Sequence, residues 1–348
     1  MAITLTSLRD LAVLGFDDII DVRAPAEWAE DHVPGAINLA VLDDAERAEV
    51  GTIYKQVSPF TARKVGAALV AANAARHLQG PLAEKPGGWR PLVYCWRGGQ
   101  RSGSFASILA QIGWRVEVIA GGYKAWRGLV VAALYDQPFP CPVVVLDGNT
   151  GSAKTDILNM LPGLGVQVLD LEGLARHRGS LFGGMSGGQP SQKAFETALA
   201  MAMLALDPAR VVVVEAESSK VGNCRVPAGL WKAMLAAPRV AIVAPLGARA
   251  AYLARAYGDL SGDPARLMGL IDLLRPVHAG EVIEGWQAMA AAGQFEALAS
   301  ALMDAHYDPR YAKHRARMAQ AGVEVMVDSL AETDLPEIAA RVARAILA

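Results

Sequence analysis

The residues best suited to chemistry are a cysteine and two arginines in the stretch from Cys95 to Ser102. An apolar run at 91–94 predicts a buried strand before the cysteine, and residues 103–112 predict a helix after it. The cysteine would then lie in a loop whose amides point inward, near the positive end of the helix dipole. Arg97 and Arg101 add full positive charge, and such surroundings lower a thiol pKa below its usual value of about 8.5. We therefore predict a catalytic thiolate at Cys95.

The same loop is the predicted site for an anion or for a group carried on the sulfur. Glycines in it free the backbone to curl around such a group. A buried structural cysteine is the alternative, but apolar neighbours would then be expected in place of arginines and glycines. The predicted loop residues are Trp96, Arg97, Gly98, Gly99, Gln100, Arg101 and Ser102.

A second stretch, from Gly148 to Thr155, has the pattern of a phosphate-binding loop. It follows the apolar run 143–147 and precedes a helical pattern that reaches 161. Lys154 would reach the terminal phosphate oxygens, and Thr155 is a candidate ligand for magnesium. Ala153 replaces the glycine that normally precedes the lysine, which weakens the case for ordinary nucleotide hydrolysis. The predicted phosphate-binding residues are Gly148, Asn149, Thr150, Gly151, Ser152, Ala153, Lys154 and Thr155.

Charged residues elsewhere give less specific predictions. Glu215 ends the apolar run 210–214, where it would orient a metal-bound water or be a solvated strand end next to Glu217. The stretch 173–195 has no acidic residue and is rich in glycine, which is typical of contact with a nucleic-acid backbone or of a mobile surface loop. The basic cluster 313–317 offers the same contact, with a solvated helix face as the alternative. The candidate nucleic-acid-binding residues are Arg176, Arg178, Lys193 and Arg310.

Composition narrows the class of protein. Of the 348 residues, 53% are hydrophobic and 20% are charged, which favours a globular chain over a disordered one. The net charge of −2 means that nucleic-acid binding must come from local patches. Cys95, Cys141 and Cys224 form no CxxC pair, which argues against a structural zinc site or a disulfide framework and suits a reducing cytoplasm. With no signal peptide and no membrane-spanning stretch in the sequence, we expect a cytoplasmic protein without membrane contact.

The order of apolar runs and helical patterns predicts an α/β fold with parallel sheets covered on both faces. Three prolines within 135–142 predict an interdomain linker. We therefore predict a first domain over 1–134 and a second over 143–348, in which the part after 248 is mostly helical. Ligands of such sheets bind at the carboxyl ends of the strands, where both predicted loops begin.

The first half resembles the rhodanese domain. The matching stretches read DVR at 21–23, HVPGAIN at 32–38 and GGYKAW at 121–126, together with the Cys95 loop. Rhodanese-like proteins carry a sulfur atom on the loop cysteine. Cys95 and Arg101 have the Cys-x5-Arg spacing of cysteine phosphatases, which is longer than that of the short-loop sulfur transferases. The residues alone leave chalcogen transfer and phosphate chemistry both open.

A rhodanese-like domain joined to a P-loop NTPase-like domain is an unusual pair, and several stretches resemble the tRNA 2-selenouridine synthase family. They read ERAEVGTIYKQ at 46–56, YCWRGG at 94–99, DLEGLARHRGS at 170–180, QPSQ at 189–192 and YDPRY at 307–311. The matches run from about 18 to 311 and so cover nearly the whole chain. The Cys95 loop and the 170–180 stretch are more specific than either domain signature.

This resemblance implies a transferase that modifies 2-thiouridine at the wobble position of the tRNAs for lysine, glutamate and glutamine. Geranyl diphosphate would alkylate the sulfur, and selenophosphate would then supply the selenium that replaces it. Cys95 would be the essential thiolate, its loop would hold selenophosphate, and the Lys154 loop would hold a diphosphate or a tRNA phosphate. No tightly bound cofactor is implied, and the synthetase that makes selenophosphate is a candidate partner.

Two other classes of function fit parts of the sequence. One is a Cys-x5-Arg phosphatase fused to an NTPase, which would hydrolyse aryl phosphates. The other is a binding module whose two loops only hold anions. Neither requires the stretches at 170–180 and 189–192, so the transferase is the preferred prediction.

Overall fold

The chain forms two compact units, each with a parallel five-stranded sheet. The computed structural model describes residues 1–216, 218–315 and 322–348. Unit 1 contains Met1–Gln137 and Pro190–Leu204, and unit 2 contains Pro138–Gln189 and Ala205–Ala348. All pairings within the two five-stranded sheets are parallel, and helices account for about half of the chain. The predicted α/β class is therefore confirmed.

Unit 1 places the Cys95 loop after the central strand of its sheet. Its strands are β1 (Ala2–Ile3), β2 (Asp18–Asp21), β3 (Ala36–Asn38), β4 (Pro91–Tyr94) and β5 (Glu117–Ile119). Its first six helices are α1 (Asp10–Val13), α2 (Pro25–Glu30), α3 (Asp44–Gln56), α4 (Pro59–Gln79), α5 (Gln100–Ile112) and α6 (Gly122–Val131), and a π-helical turn, Ala132–Asp136, extends α6. The strand order is β1-β5-β4-β2-β3. Strand β4 lies between β2, which precedes it in the chain, and β5, which follows it, so these two strands lie on opposite sides of β4. Ligands of such folds bind at the carboxyl ends of the strands at this point.

Local signals in the sequence account for these helices. Asp43 accepts a hydrogen bond from the Glu46 amide and Glu46 returns one to the Asp43 amide, so a capping box starts α3. Ser58 caps α4, and Pro59 occupies its first turn. All four residues of β4 are buried, as the continuous apolar run predicts.

Unit 2 repeats the arrangement around the second loop. Its strands are β6 (Val143–Gly148), β7 (Gln167–Leu169), β8 (Val212–Glu215), β9 (Lys220–Val221), β10 (Cys224–Arg225), β11 (Arg239–Val243) and β12 (Val323–Met326). Its helices are α7 (Lys154–Met160), α8 (Leu171–Ala175), α10 (Ala228–Ala236), α11 (Leu246–Ala256), α12 (Gly258–Ser261), α13 (Pro264–Asp272), α14 (Gly280–Ala291), α15 (Phe295–Leu302), α16 (Asp308–Arg315) and α17 (Leu335–Leu347), with short helical turns at Leu161–Leu164, Arg275–Val277 and Met303–Tyr307. The sheet order is β12-β11-β6-β8-β7, so the loop that follows β6 also leaves a central strand.

Two features of the division differ from the sequence-based expectation. Helix α9 (Gln192–Leu204), in the middle of the predicted second domain, groups with unit 1. The part after 248 is mostly helical as expected, but it also supplies β12, which pairs in parallel with β11. The domain boundaries at the proline-rich stretch remain a prediction. They assume that the chain passes from one domain to the other once, whereas each compact unit contains two separate segments of the chain.

Buried polar contacts explain why α9 belongs to unit 1. The Thr197 hydroxyl donates to Asp31 Oδ2 at 2.9 Å, and both residues are buried. Glu196 is buried as well and accepts hydrogen bonds from Arg127 and from the Tyr135 hydroxyl. A buried carboxylate is costly unless it is paired, so these bonds hold α9 in place.

No helix in the described ranges is long and apolar enough to span a membrane.

The Cys95 loop is held by the turn that starts α6. The Tyr123 amide donates to the Cys95 carbonyl at 2.8 Å, and the Lys124 amide donates to the Trp96 carbonyl at 2.9 Å. Gly122 has φ +57°, and a Cβ built on it would lie 2.2 Å from the Cys95 oxygen. Glycine is therefore required where the two backbones meet.

We expect Gly122→Ala to lower the free energy of unfolding by roughly 2–4 kcal/mol, since the new Cβ must displace the Cys95 loop and adopt a left-handed conformation. Urea denaturation measures the change. Gly128→Ala in the same helix is the control, because nothing lies within 4 Å of its Cβ position. It should raise the free energy of unfolding by about 0.5–1 kcal/mol. Equal effects of the two substitutions would contradict the account of the turn.

Candidate functional site

The Cys95 thiol lies beneath its loop rather than at an open rim. The residue is only 3% exposed, and its Sγ lies 3.2 Å from the Ser102 Oγ in the first turn of α5. All three cysteines are buried. Cys95 is distinguished by the polar groups around it, not by exposure.

The pKa of Cys95 is lowered from its ordinary value, as predicted. Burial alone would raise the pKa of this thiol, but hydrogen bonds from the Ser102 side chain and from the backbone at Ser102 and Gly99 favour the thiolate, with a smaller contribution from the charge of Arg101. For Cys141 and Cys224, burial raises the pKa. The thiolate prediction for Cys95 therefore rests mainly on hydrogen-bond donors at a helix start.

The two arginines of the loop are in different situations. Arg101 Nη1 lies 2.7 Å from Glu27 Oε2, and its guanidinium is mostly buried. Burial alone would raise the pKa of Glu27, but the hydrogen bonds and charge of Arg101 outweigh burial and hold this pKa below its ordinary value. Arg101 and Glu27 therefore form an ion pair. Arg97 is exposed. The expectation that both arginines supply uncompensated charge is therefore modified, because Glu27 offsets much of the charge of Arg101.

Behind the loop lies a buried polar cluster built from the stretches that resemble rhodanese. Arg23 pairs with Asp21 at 2.6 Å, and its guanidinium stacks 3.9 Å from the Tyr123 ring centroid. The Tyr123 hydroxyl donates to Asp31 at 2.7 Å. Each of these polar groups is satisfied, which fixes the turn that holds the Cys95 loop.

In unit 2, the loop from Gly148 to Lys154 has left-handed positions at Gly148, Gly151 and Ala153. Ala153 has φ 57° and ψ 27° and is buried. A non-glycine residue in this region costs about 1–2 kcal/mol. The departure noted in the sequence thus preserves the backbone path that glycine would take, at a cost in strain.

The side chains of this loop are partly occupied by the protein itself. Lys154 Nζ donates to the Gly148 carbonyl at 2.9 Å. The Asn149 amide donates to Asp308 at 3.0 Å, and Asp308 also pairs with Arg249 at 2.7 Å. The buried Ser152 hydroxyl has no hydrogen-bond partner within the described part of the chain. The loop is thus held in place by bonds within the protein.

Acidic residues follow the neighbouring strands. The Thr155 hydroxyl donates to Glu172 Oε2 at 2.8 Å, and the Glu172 amide donates to Glu215 Oε1 at 2.7 Å. Glu215 is fully buried, so the alternative of a solvated strand end is wrong. Burial and the charges of Asp170 and Glu172 raise the pKa of Glu215 well above its ordinary value. Hydroxyl and carboxylate oxygens are ligands that magnesium accepts, so Thr155 and Glu172 fit such an ion. Glu217, the suggested neighbour of Glu215, lies outside the described residues.

A cavity of about 900 Å³ opens over this loop. Of the candidate nucleic-acid-binding residues, Arg178 and Arg310 line it, whereas Arg176 is exposed at the end of α8. Arg178 pairs with Asp259 at 3.0 Å. His306 Nε2 lies 3.0 Å from Arg310, and burial together with the charges of Arg310 and His278 lowers the pKa of His306 to about 4. The ring is therefore neutral at pH 7 and holds the Arg310 guanidinium at the cavity.

The remaining basic candidates lie elsewhere. Lys193 belongs to unit 1, where its Nζ pairs with Glu30 at 2.7 Å and lies 6.0 Å from the Trp96 ring centroid. Of the cluster 313–317, Ala316 and Arg317 lie outside the described residues.

Several residues of the two sites give little or no signal in the sequence. Glu27 gave only a weak signal, as an acidic residue in the first turn of α2. Arg249 gave none, because its partner Asp308 is 59 positions away. Glu172 and Asp308 lay inside stretches that had been noted without a role for those residues.

We expect Ser102→Ala to move the pH dependence of Cys95 alkylation upward by roughly one unit, because a hydrogen bond to a charged group contributes about 1.5 kcal/mol. Iodoacetamide labelling followed by peptide mass spectrometry gives the rate at Cys95 as a function of pH. Ser104→Ala is the matched control, since Ser104 is an exposed serine in the same turn of α5. An unchanged profile for Ser102→Ala would show that the backbone amides suffice.

Each half of the chain matches a known protein family. Residues 4–129 match the rhodanese-like domain family, and residues 141–264 match the family described as the tRNA 2-selenouridine synthase AAA domain. The first match confirms the predicted rhodanese-like domain, and the second agrees with the P-loop in unit 2.

Relatives match over both domains. The tRNA 2-selenouridine synthase of Pseudomonas syringae pv. tomato is 40% identical over 239 residues, which is 66% of this chain and 63% of that protein. Its counterpart from Aeromonas salmonicida is 40% identical over 71% of this chain and 67% of its own length. That of Bordetella bronchiseptica is 38% identical over 75% and 72%. The matches thus span between 63% and 72% of these relatives. With two loops of the expected geometry and relatives of this identity, the chain belongs to the tRNA 2-selenouridine synthase family.

Proposed function

We propose that this chain converts 2-thiouridine at the tRNA wobble position to 2-selenouridine through an S-geranyl-2-thiouridine intermediate. Geranyl diphosphate and selenophosphate are the co-substrates, and the tRNAs for lysine, glutamate and glutamine are the acceptors. Family membership supports the overall conversion. The observation that carries the proposed division of labour is the Cys95 thiol, whose pKa is lowered by hydrogen bonds in unit 1, whereas the phosphate-binding loop belongs to unit 2.

The first proposed step activates the base for substitution. The sulfur of 2-thiouridine attacks C1 of geranyl diphosphate, a carbon–sulfur bond forms, and diphosphate leaves with the electron pair of the broken carbon–oxygen bond. The N3 proton of the base passes to water, which gives the neutral S-geranyl nucleoside. The loop amides and Lys154 are suited to hold the leaving diphosphate. Alkylation turns the sulfur into a better leaving group, since it can then depart as a thiolate.

The second proposed step uses Cys95 as a nucleophile on the base. The Cys95 thiolate attacks C2 and expels geranylthiolate; the selenium of selenophosphate then attacks C2 and expels the Cys95 thiolate. Hydrolysis of the phosphorus–selenium bond releases phosphate. Every step is a substitution with no change of oxidation state. A selenium atom carried on the sulfur of Cys95 would instead need an oxidant, so direct attack is the favoured route.

The ion pair of Arg101 weighs against the phosphatase alternative. Cysteine phosphatases need the arginine of the Cys-x5-Arg loop to bind the phosphate as a two-pronged donor. Here two hydrogen bonds, at 2.7 and 3.4 Å, direct the Arg101 guanidinium to Glu27. The loop is better suited to hold a thiolate than to clamp a phosphate monoester.

We expect Cys95→Ser to abolish selenium incorporation and to spare geranylation. Thiouridine-containing tRNA is incubated with geranyl diphosphate and selenophosphate, digested to nucleosides and analysed by mass spectrometry. Cys141→Ser is the control, because Cys141 is a buried free cysteine in unit 2 with a raised pKa, and it should retain both reactions. Loss of both reactions in Cys95→Ser would mean that one site performs them. Unchanged thiouridine with folded wild-type protein would reject the proposed function.

We expect Lys154→Ala to slow geranylation about tenfold to a hundredfold, the effect of losing a hydrogen bond to a charged group. Selenium incorporation into tRNA that is already geranylated should persist. Lys232→Ala is the matched control, since Lys232 is an exposed lysine of unit 2 on α10. Normal geranylation by Lys154→Ala would remove the diphosphate role and leave a tRNA phosphate as the ligand of the loop.

A further inference from the structure

An apolar pocket adjoins the phosphate-binding cavity of unit 2 and has no part in the steps described above. Its volume is about 90 Å³. Helices α11, α12, α13 and α15 and the stretch around Phe182 supply most of its walls, which include Phe182, Leu260, Leu267, Phe295, Leu298 and Leu302. Each of these side chains belongs to the apolar core of the helical region or packs against it. A cavity of this composition stays dry and takes apolar groups.

The pocket shares part of its lining with the cavity over the phosphate-binding loop. Thr150, Ser180, Leu253, Tyr257 and Tyr307 line both spaces. One side of this shared wall leads to Lys154, Thr155 and the guanidinium of Arg310. The other side leads only to carbon-rich walls. Such a pair of spaces fits an amphiphile with an anionic head and an apolar tail.

We propose that this pocket receives the distal end of the prenyl chain of a prenyl diphosphate whose head lies on the Gly148–Lys154 loop. The inference rests on the proposed function and adds the place and the length selection of its apolar substrate. The reacting carbon then lies at the wall shared by the two spaces.

The size of the pocket sets the preferred chain. A dry cavity of about 150 Å³ holds benzene, so about 90 Å³ takes roughly four carbons, the end of a second isoprene unit. The first isoprene unit would lie along the shared wall. A five-carbon dimethylallyl chain would not reach the pocket, and a fifteen-carbon farnesyl chain would exceed it. The volume of the pocket thus matches the second isoprene unit of a geranyl chain.

Narrowing the pocket tests the assignment. Ala254 lines it from α11 and is only half-buried, so Ala254→Phe fills space with little disturbance of the core. We expect the Kd for geranyl diphosphate to rise roughly a hundredfold, which corresponds to the exclusion of about three to four methylene groups. The Kd for inorganic diphosphate should be unchanged, because the head site is untouched. Isothermal titration calorimetry with the 348-residue chain measures both.

Two further variants control for folding and for chain length. Ala251→Phe places the same ring on the same helix at a residue that lines neither space, and it should leave both Kd values unchanged. Leu298→Ala enlarges the pocket and should improve transfer of the farnesyl group relative to the geranyl group. Ala254→Phe narrows the pocket and Leu298→Ala enlarges it, so a general loss of stability cannot produce both expected results.

The outcomes separate this inference from the proposed function. Equal weakening of geranyl diphosphate and inorganic diphosphate by Ala254→Phe, or no weakening of either, overturns the tail site. Failure of the wild-type protein to transfer any prenyl group to thiouridine rejects the proposed reaction. In that case, selective weakening of geranyl diphosphate binding by Ala254→Phe still supports the pocket as a prenyl site.

Discussion

The close approach of two backbones in unit 1 is the constraint on which the rest of its site depends. The amides of Tyr123 and Lys124, at the start of α6, donate two hydrogen bonds to the Cys95 loop, and a Cβ on Gly122 would overlap the Cys95 carbonyl. Gly98 faces the same limit, since its Cβ would lie 2.7 Å from the Ile119 oxygen. This contact sets the path of the loop, and the path directs the amides and the Ser102 hydroxyl at the sulfur. The thiolate character of Cys95 follows from backbone packing more than from the arginines.

Buried polar groups then fix the elements that carry this contact. Asp31 accepts hydrogen bonds from Tyr123 of the turn and from Thr197 of α9. Residues far apart in sequence thus meet at one carboxylate, and the middle of the chain becomes part of unit 1. Removal of either donor would leave a buried charge with fewer partners, which is more costly than the bond itself contributes.

In unit 2, the loop before Lys154 takes a left-handed backbone conformation at an alanine, Ala153, where the first unit has glycine. Ala153 keeps a left-handed conformation next to Lys154 while its methyl group packs in the core with Leu146 and Ile157. Residues beyond the loop also hold it in place. The Arg249 guanidinium donates to the Thr150 carbonyl. Asp308 accepts a hydrogen bond from Asn149 and pairs with Arg249. Its shape is therefore set before any ligand binds, which reduces the entropic cost of holding a phosphate.

Charges show where the structure changes the meaning of the sequence. Arg101, Arg178 and Lys193 are all cationic in the sequence, yet each forms an ion pair in the folded protein. Arg310, by contrast, is held at the cavity by a neutral histidine. For Glu215 the sequence leaves open a metal-orienting role and a solvated strand end, and the fold buries this residue completely and raises its pKa. The local electrostatics of both sites thus come from pairs that no spacing rule reveals.

The sequence by itself determined the α/β class, the rhodanese-like first half, the strand-to-helix loops at Cys95 and Lys154, and the unusual place of Ala153. These features are local: apolar runs, caps, glycines and the order of residue types within about ten positions decide them. Only the tertiary structure decided that α9 joins unit 1, that β12 completes the second sheet, that Glu27 offsets Arg101, and that an apolar pocket adjoins the phosphate-binding loop. Those features depend on side chains distant in sequence, whose meeting is set by packing and by the need to satisfy buried charges, and neither of these is written in local pattern.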